Sequence, residues 1–149
     1  MENVYEELGR WISILYRRFQ VYINNELKDL DITSSEYIFL IKLYENGELN
    51  QEELSSIYYI DKGATARSLK RLEKKGYIKR FKDKHDKRSY KLALTEKALL
   101  VKTRIYKTLE SWDKTISVDI TTEELKKISS TLKKMSLRAL EETNNINKT

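Results

Sequence analysis

QEELSSIYYIDKGATARSLKRLEKKGYIKRFKDKHDKRSYKLAL, residues 51–94, holds the succession of elements that decides the fold. Gln51 to about Ile57 reads as a short helix. Asn50 is its capping residue, Glu53 stands three positions on to reach back, and Leu49 and Leu54 form the apolar staple. After Tyr58-Tyr59-Ile60, Asp61 caps another helix that carries Ala66, Leu69 and Leu72 inward and ends at Gly76, with Tyr77 placed to pack back on Leu72 as in a Schellman cap. Beyond Gly76 the period changes. Tyr77 to Phe81 and Tyr90 to Leu94 are strand-like runs separated by a charged loop, which predicts a hairpin with a basic tip. Helix, tight turn, basic amphipathic helix, basic hairpin: this is the order of a helix-turn-helix with a wing.

The flanks are helical. Proline is absent and glycine occurs only at 9, 47, 63 and 76, so few breaks are available. From Val4 the apolar positions Leu8, Trp11, Leu15, Phe19 and Tyr22 step by three or four, giving a long first helix. The start signal seen at Asn50 recurs at Ile32-Thr33 with Glu36 and Tyr37, and at Ile120-Thr121 with Glu124 and Leu125, which predicts helix starts near 34, 51 and 122. The helix through Leu40, Ile41 and Tyr44 stops at Asn46-Gly47. A fifth helix follows Leu94-Thr95 through Leu109, Trp112 and Ile116, and a sixth carries Leu125, Ile128, Leu132, Met135 and Ala139. The expected fold is mainly α with a small two- or three-stranded wing. Residues 34–95 form the winged helix-turn-helix, 1–33 and 96–145 supply N- and C-terminal dimerisation helices, and 146–149 close the Asn-rich end as a disordered tail. Dimerisation is a burial argument. Val4, Leu8, Trp11 and Leu15, with Leu125, Ile128, Leu132 and Met135, make stripes longer than a domain of this size can cover, so a second copy covers them.

The whole chain carries +6, yet Lys62 to Lys91 alone holds thirteen Lys or Arg against Glu73, Asp83 and Asp86, a net +10. Basicity confined to one segment of an otherwise acidic chain fits a polyanion-binding surface, because counterion release from phosphates supplies affinity. In a helix-turn-helix the second helix lies in the major groove with its N-terminal residues nearest the bases. Lys62, Gly63, Thr65, Arg67 and Ser68 are therefore the candidates for groove contacts, and Lys70 and Arg71 for phosphates. Lys82, Lys84, His85, Asp86, Lys87 and Arg88 form the wing candidates. An Arg at a hairpin tip suits a narrow, strongly negative minor groove.

Other chemistries find little support. The chain lacks cysteine, which removes disulfides, thiol nucleophiles and thiolate ligands. Its one histidine, His85, lies in the basic loop, unsuited to a triad or a multi-His metal centre. Glu52-Glu53 and Glu123-Glu124 are explained by helix starts. No catalytic residue, cofactor or metal is expected. No apolar run reaches membrane-spanning length and no secretory leader is evident, so a cytoplasmic location without a membrane partner is expected.

Leu72-Glu73-Lys74-Lys75-Gly76, Asp86-Lys87-Arg88 and Leu94-Thr95-Glu96 together resemble the MarR family of bacterial transcription regulators. The similarity extends over nearly the whole chain. It departs from the family pattern at Lys62-Gly63-Ala64-Thr65, which carries fewer hydroxyl side chains, and at Ala98, where a glycine is common. The resemblance implies that Arg88 enters the minor groove with Asp86 orienting it, and that terminal helices pair across a two-fold axis on a pseudo-palindromic operator. It also implies repression released by a small aromatic or anionic effector held between the dimerisation helices and the DNA-binding lobe. Tyr16, Arg17, Tyr37, Tyr44 and Trp112 have suitable chemistry, although tyrosines on amphipathic helices commonly serve the core. The alternative keeps the fold but uses it for protein or RNA contact.

Overall fold

The computed structural model describes residues 4–146. Helix α1 (Val4–Glu26) is followed by a 3-10 turn (Lys28–Leu30), α2 (Tyr37–Asn46), the two-residue strand β1 (Leu49–Asn50), α3 (Gln51–Ile57) and α4 (Lys62–Lys74). Strands β2 (Ile78–Lys82) and β3 (Tyr90–Leu94) form the hairpin, and α5 (Glu96–Ile116) and α6 (Thr122–Ile146) complete the chain. The mainly α fold with a three-stranded wing is thus as expected. Met1–Glu110 and Ser111–Thr149 are two compact units. Among the described residues no helix is long and apolar enough to cross a membrane.

Local chemistry accounts for the boundaries. At α3 both halves of the capping box are present: Asn50 Oδ1 accepts the Glu53 amide at 2.7 Å and Glu53 Oε2 accepts the Asn50 amide at 2.7 Å. The same reciprocal pair joins Thr121 and Glu124 at the start of α6. Helix α2 differs from expectation, beginning at Tyr37 rather than near 34. There Thr33 Oγ1 pairs with Ser35 Oγ and the Ser34 amide is taken by Asn24 Oδ1, so only the Glu36 half of the box forms and 34–36 remain a turn. Helix α4 closes as anticipated. Gly76 adopts φ +81°, its amide bonds the Glu73 carbonyl at 3.0 Å, and the Tyr77 amide bonds the Leu72 carbonyl at 3.0 Å, the paired bonds of a Schellman cap. Helix α6 runs on to Ile146 and so overlaps the expected tail, while 147–149 lie outside the described residues.

The sheet order is β1-β3-β2, antiparallel throughout, with Leu49 opposite Leu92 and Arg80 opposite Leu92 from the other side. Strand β1 is too short to show a period, which is why the sequence reading did not locate it. The core of the first unit gathers Ile23 and Leu27 of α1, Phe39, Leu40 and Leu43 of α2, Leu54, Leu69, Leu72, Leu92 and Ile105, all essentially without exposure. The second unit carries almost wholly exposed residues on α6.

Candidate nucleic-acid interface

Helix α4 is oriented by a face that the sequence reading set slightly wrong. Thr65, Ser68, Leu69 and Leu72 are its buried residues, the i, i+3, i+4, i+7 pattern of one helix face, whereas Ala66 is half-buried. Thr65 and Ser68 were expected at the groove and instead point inward. Their hydroxyls explain how polar side chains occupy that face: Ser55 Oγ lies 3.2 Å from Thr65 Oγ1, and Ser68 Oγ accepts from Arg71 Nη2 at 3.0 Å. The outward side is left to Lys62, Arg67, Lys70 and Lys74, all exposed. At the helix start Asp61 Oδ2 accepts the Ala64 amide at 2.9 Å. A Cβ on Gly63 would sit 3.1 Å from Asp61 Oδ2 and 3.2 Å from Arg67 Nη1, so the missing side chain lets Arg67 lie back across the first turn.

Between β2 and β3 the loop is shaped by two aspartates. Asp83 Oδ1 accepts the His85 amide at 2.9 Å, and Asp86 Oδ1 accepts the Arg88 amide at 3.0 Å. The His85 amide, opposed by slight desolvation and aided by Lys91, holds the Asp83 carboxyl below its usual range. Asp86 thus orients the backbone at Arg88, and among the described residues no ion pair joins their side chains. Lys82, Lys84, His85, Lys87 and Arg88 are exposed.

Net charge overstates the cations available. Of the thirteen in residues 62–91, Lys62 pairs with Glu52, Arg71 and Lys75 with Glu36, Arg80 with Glu73 and Lys91 with Asp83. Arg67, Lys70, Lys74, Lys79, Lys82, Lys84, Lys87 and Arg88 form no ion pair among the described residues. They lie on α4 and the hairpin, the two elements that enter grooves in a winged helix.

Glu36 is the residue that sequence reasoning underrated. Seen only as a capping carboxylate, it is wholly buried. Its Oε1 accepts Arg71 Nε at 2.9 Å and Lys75 Nζ at 3.1 Å, and its Oε2 accepts Lys75 Nζ at 2.8 Å and the Thr33 amide at 3.1 Å. Burial opposes the charge, yet the bonds from Lys75, Arg71 and Thr33 outweigh it and leave the carboxyl below its ordinary range. The available signal was the i, i+4 pair Arg71 and Lys75, one helix turn apart and able to share one anion.

Two of the five effector candidates lie together. Tyr16 and Tyr37 line one cleft of about 230 Å3, together with Phe19, Ser35, Ala64 and Ser68 among others. Arg17 borders a different depression and bonds Ser13 Oγ at 2.7 Å. Tyr44 donates its hydroxyl to the Ala98 carbonyl, and burial, with the neighbouring Tyr106 and Tyr77, pushes its ionisation upward. Trp112 belongs to the second compact unit. Of the interface candidates, Val4, Leu8, Trp11 and Leu15 on α1 and Leu125, Ile128, Leu132 and Met135 on α6 are all exposed. Among the described residues no group of three or more His, Asp or Glu could hold a metal ion.

Two short helices around a tight turn, a basic second helix and a basic antiparallel hairpin define a winged helix-turn-helix protein. The chain belongs to the MarR family, whose model matches residues 32–90. The HTH-type transcriptional regulator YybA of Bacillus subtilis, itself uncharacterized, is 32% identical over 126 residues, covering 85% of this chain and 84% of its own. A MarR transcriptional regulator from Methanosarcina mazei Go1 is 34% identical with a TM-score of 0.82, over 91% of this chain and 98% of its own. A mutant MarR from E. coli complexed with operator DNA is 25% identical with a TM-score of 0.80, over 89% of this chain and 96% of its own.

Proposed function

We propose that this chain is a transcription regulator that binds a pseudo-palindromic double-stranded operator as a homodimer, represses, and is released by a small aromatic or anionic ligand. The observation that carries DNA binding is the density of cations on α4 and the hairpin, where eight between Arg67 and Arg88 form no ion pair among the described residues. Lys62 and Arg67 lie at the N-terminal half of α4, where base edges are reached, and Lys70 faces phosphates. Arg88 serves the minor groove, with its backbone fixed by Asp86.

Residues 34–95 carry this binding. Residues 1–33 and 96–145 carry dimerisation, supported by the exposed apolar stripes of α1 and α6. Two-fold symmetry places operator half-sites about one helical turn apart. Ligand release is supported by the cleft at Tyr16 and Tyr37, because Ala64 and Ser68 of α4 also line it. An occupant there touches the DNA-reading helix directly.

Selection of bound duplexes from a random pool, followed by anisotropy on the selected and a scrambled duplex at physiological salt, tests the reading. Preference for the selected sequence supports it. Equal affinities sink specific recognition and favour the use of the fold for protein or RNA contact.

A further inference from the structure

We infer that Glu36 is a positioning residue for sequence discrimination: it pins α4 through Arg71 and Lys75 and keeps those two cations off the DNA phosphates. This rests on the DNA-binding reading above and adds a division of labour within the basic segment.

The geometry is specific. Glu36 precedes α2, and its carboxylate reaches Arg71 in the last turn of α4 and Lys75 at its C-cap, two points that resist both rotation and sliding of that helix. Arg71 is held on three sides: Nε by Glu36 Oε1 at 2.9 Å, and Nη2 by Ser35 Oγ at 3.2 Å and Ser68 Oγ at 3.0 Å. Lys75 is more enclosed still, its Nζ also donating to the Asp31 carbonyl at 2.7 Å. A buried carboxylate is an expensive means of holding two helices together, since apolar side chains of similar volume commonly serve stability as well or better. What the carboxylate adds is direction and charge. It fixes the orientation of the helix that reads the bases and neutralises cations whose phosphate contacts would strengthen every sequence alike. Removing it should raise binding to any DNA while loosening the helix that distinguishes one sequence from another.

The test uses the full-length chain and two variants, each titrated with the selected and a scrambled duplex between 50 and 300 mM salt. For Glu36→Gln, the expected result is a stronger affinity for scrambled DNA and a selected-to-scrambled ratio reduced about tenfold. Release of Arg71 alone in each protomer adds two phosphate contacts to a dimer and steepens the log–log salt slope by about 1.8, and release of Lys75 with it by about 3.6. Arg71→Met keeps the Glu36–Lys75 pair and removes the cation in question. Its expected result is a reduced ratio with an unchanged salt slope. A slope that falls by about 1.8 in Arg71→Met means that Arg71 meets phosphates in the parent protein, and overturns the inference. So does a parallel loss of both affinities in Glu36→Gln at unchanged slope, which is the behaviour of a purely structural residue. If Glu36→Gln fails to fold, the Arg71→Met slope decides alone. Failure of the parent protein to prefer any duplex refutes specific DNA reading itself, an outcome separate from these.

Discussion

Thr65→Val separates a groove residue from a core residue more cleanly than any other change in α4. In the structure Thr65 is wholly buried and its hydroxyl meets Ser55 Oγ at 3.2 Å. Ser55 also donates to the Ile60 carbonyl at 3.2 Å, so removing the threonine hydroxyl leaves no orphaned group behind. Valine keeps the β-branched shape and a similar helix propensity. The expected cost is therefore one neutral hydrogen bond, about 1 kcal/mol net. For a chain of this size that corresponds to a fall in Tm of about 2–4 °C. Thermal unfolding monitored by circular dichroism reads the stability, and anisotropy with the selected duplex at fixed salt reads the affinity, which should stay within about twofold, under half a kcal/mol. A loss of affinity of about tenfold or more with an unchanged Tm would refute the reasoning, because it would mean that the hydroxyl reaches bases rather than Ser55.

Lys70→Met, at an exposed position without an ion pair, should lower the salt slope by about 1.8 for a dimer and weaken both selected and scrambled duplexes together; an unchanged slope would remove Lys70 from the interface. Arg88→Ala should reduce affinity by about 1–3 kcal/mol per half-site and change preference at the minor-groove positions of the operator, checked by repeating the pool selection. Because the folded Glu36 carboxyl titrates below its ordinary value of 4.5, its stabilising contribution is complete above that value and is lost as pH falls through the folded pKa. Urea midpoints should accordingly fall as the pH is lowered from about 4.5, and Glu36→Gln should flatten that acid limb; identical limbs in the two proteins would be evidence against the buried pairing. Gly76→Ala meets only Lys97 Cδ at 3.9 Å, so its cost comes from the φ of +81° and amounts to about 1 kcal/mol, visible as a lower urea midpoint at an unchanged m-value.

Most of the element order was legible in the sequence because the responsible chemistry is local. A cap, its reciprocal glutamate and an apolar staple lie within six residues, as at Leu49 to Leu54, and a Schellman cap needs only Leu72 to Tyr77. What was not legible depended on partners distant in sequence. The rotation of α4 could not be fixed by hydrophobicity alone: Ala66 looks a better core residue than Thr65 until Ser55, ten positions earlier, supplies the hydroxyl that satisfies it. Arg71 reads as a phosphate contact in the sequence and Glu36, thirty-five residues upstream, as a capping residue of its own helix start; only the fold brings the two together as an ion pair. Tyr16, Arg17, Tyr37, Tyr44 and Trp112 share side-chain chemistry, and nothing local in the sequence tells that Tyr16 and Tyr37 line one cleft.

The cleft and the buried ion network are not independent features. Ser35 and Ser68 line the cleft, and the same two hydroxyls accept hydrogen bonds from Arg71 Nη2. A small molecule that donates to either serine oxygen, as a phenol can, competes with Arg71 for it, while Glu36 still holds Arg71 through Nε. A ligand alters DNA affinity only through a difference in its own affinity for the two arrangements of the protein. Here that difference has a physical origin, since the arrangement with both serines bonded to Arg71 offers a ligand fewer free acceptors than one in which the guanidinium has turned away. The coupling is reciprocal, so DNA that favours the first arrangement weakens the ligand by the same factor. Weakening Arg71 at its Glu36 end should therefore change the ligand response as well as the salt slope, whereas Lys70, which shares neither serine nor carboxylate, should change the slope alone.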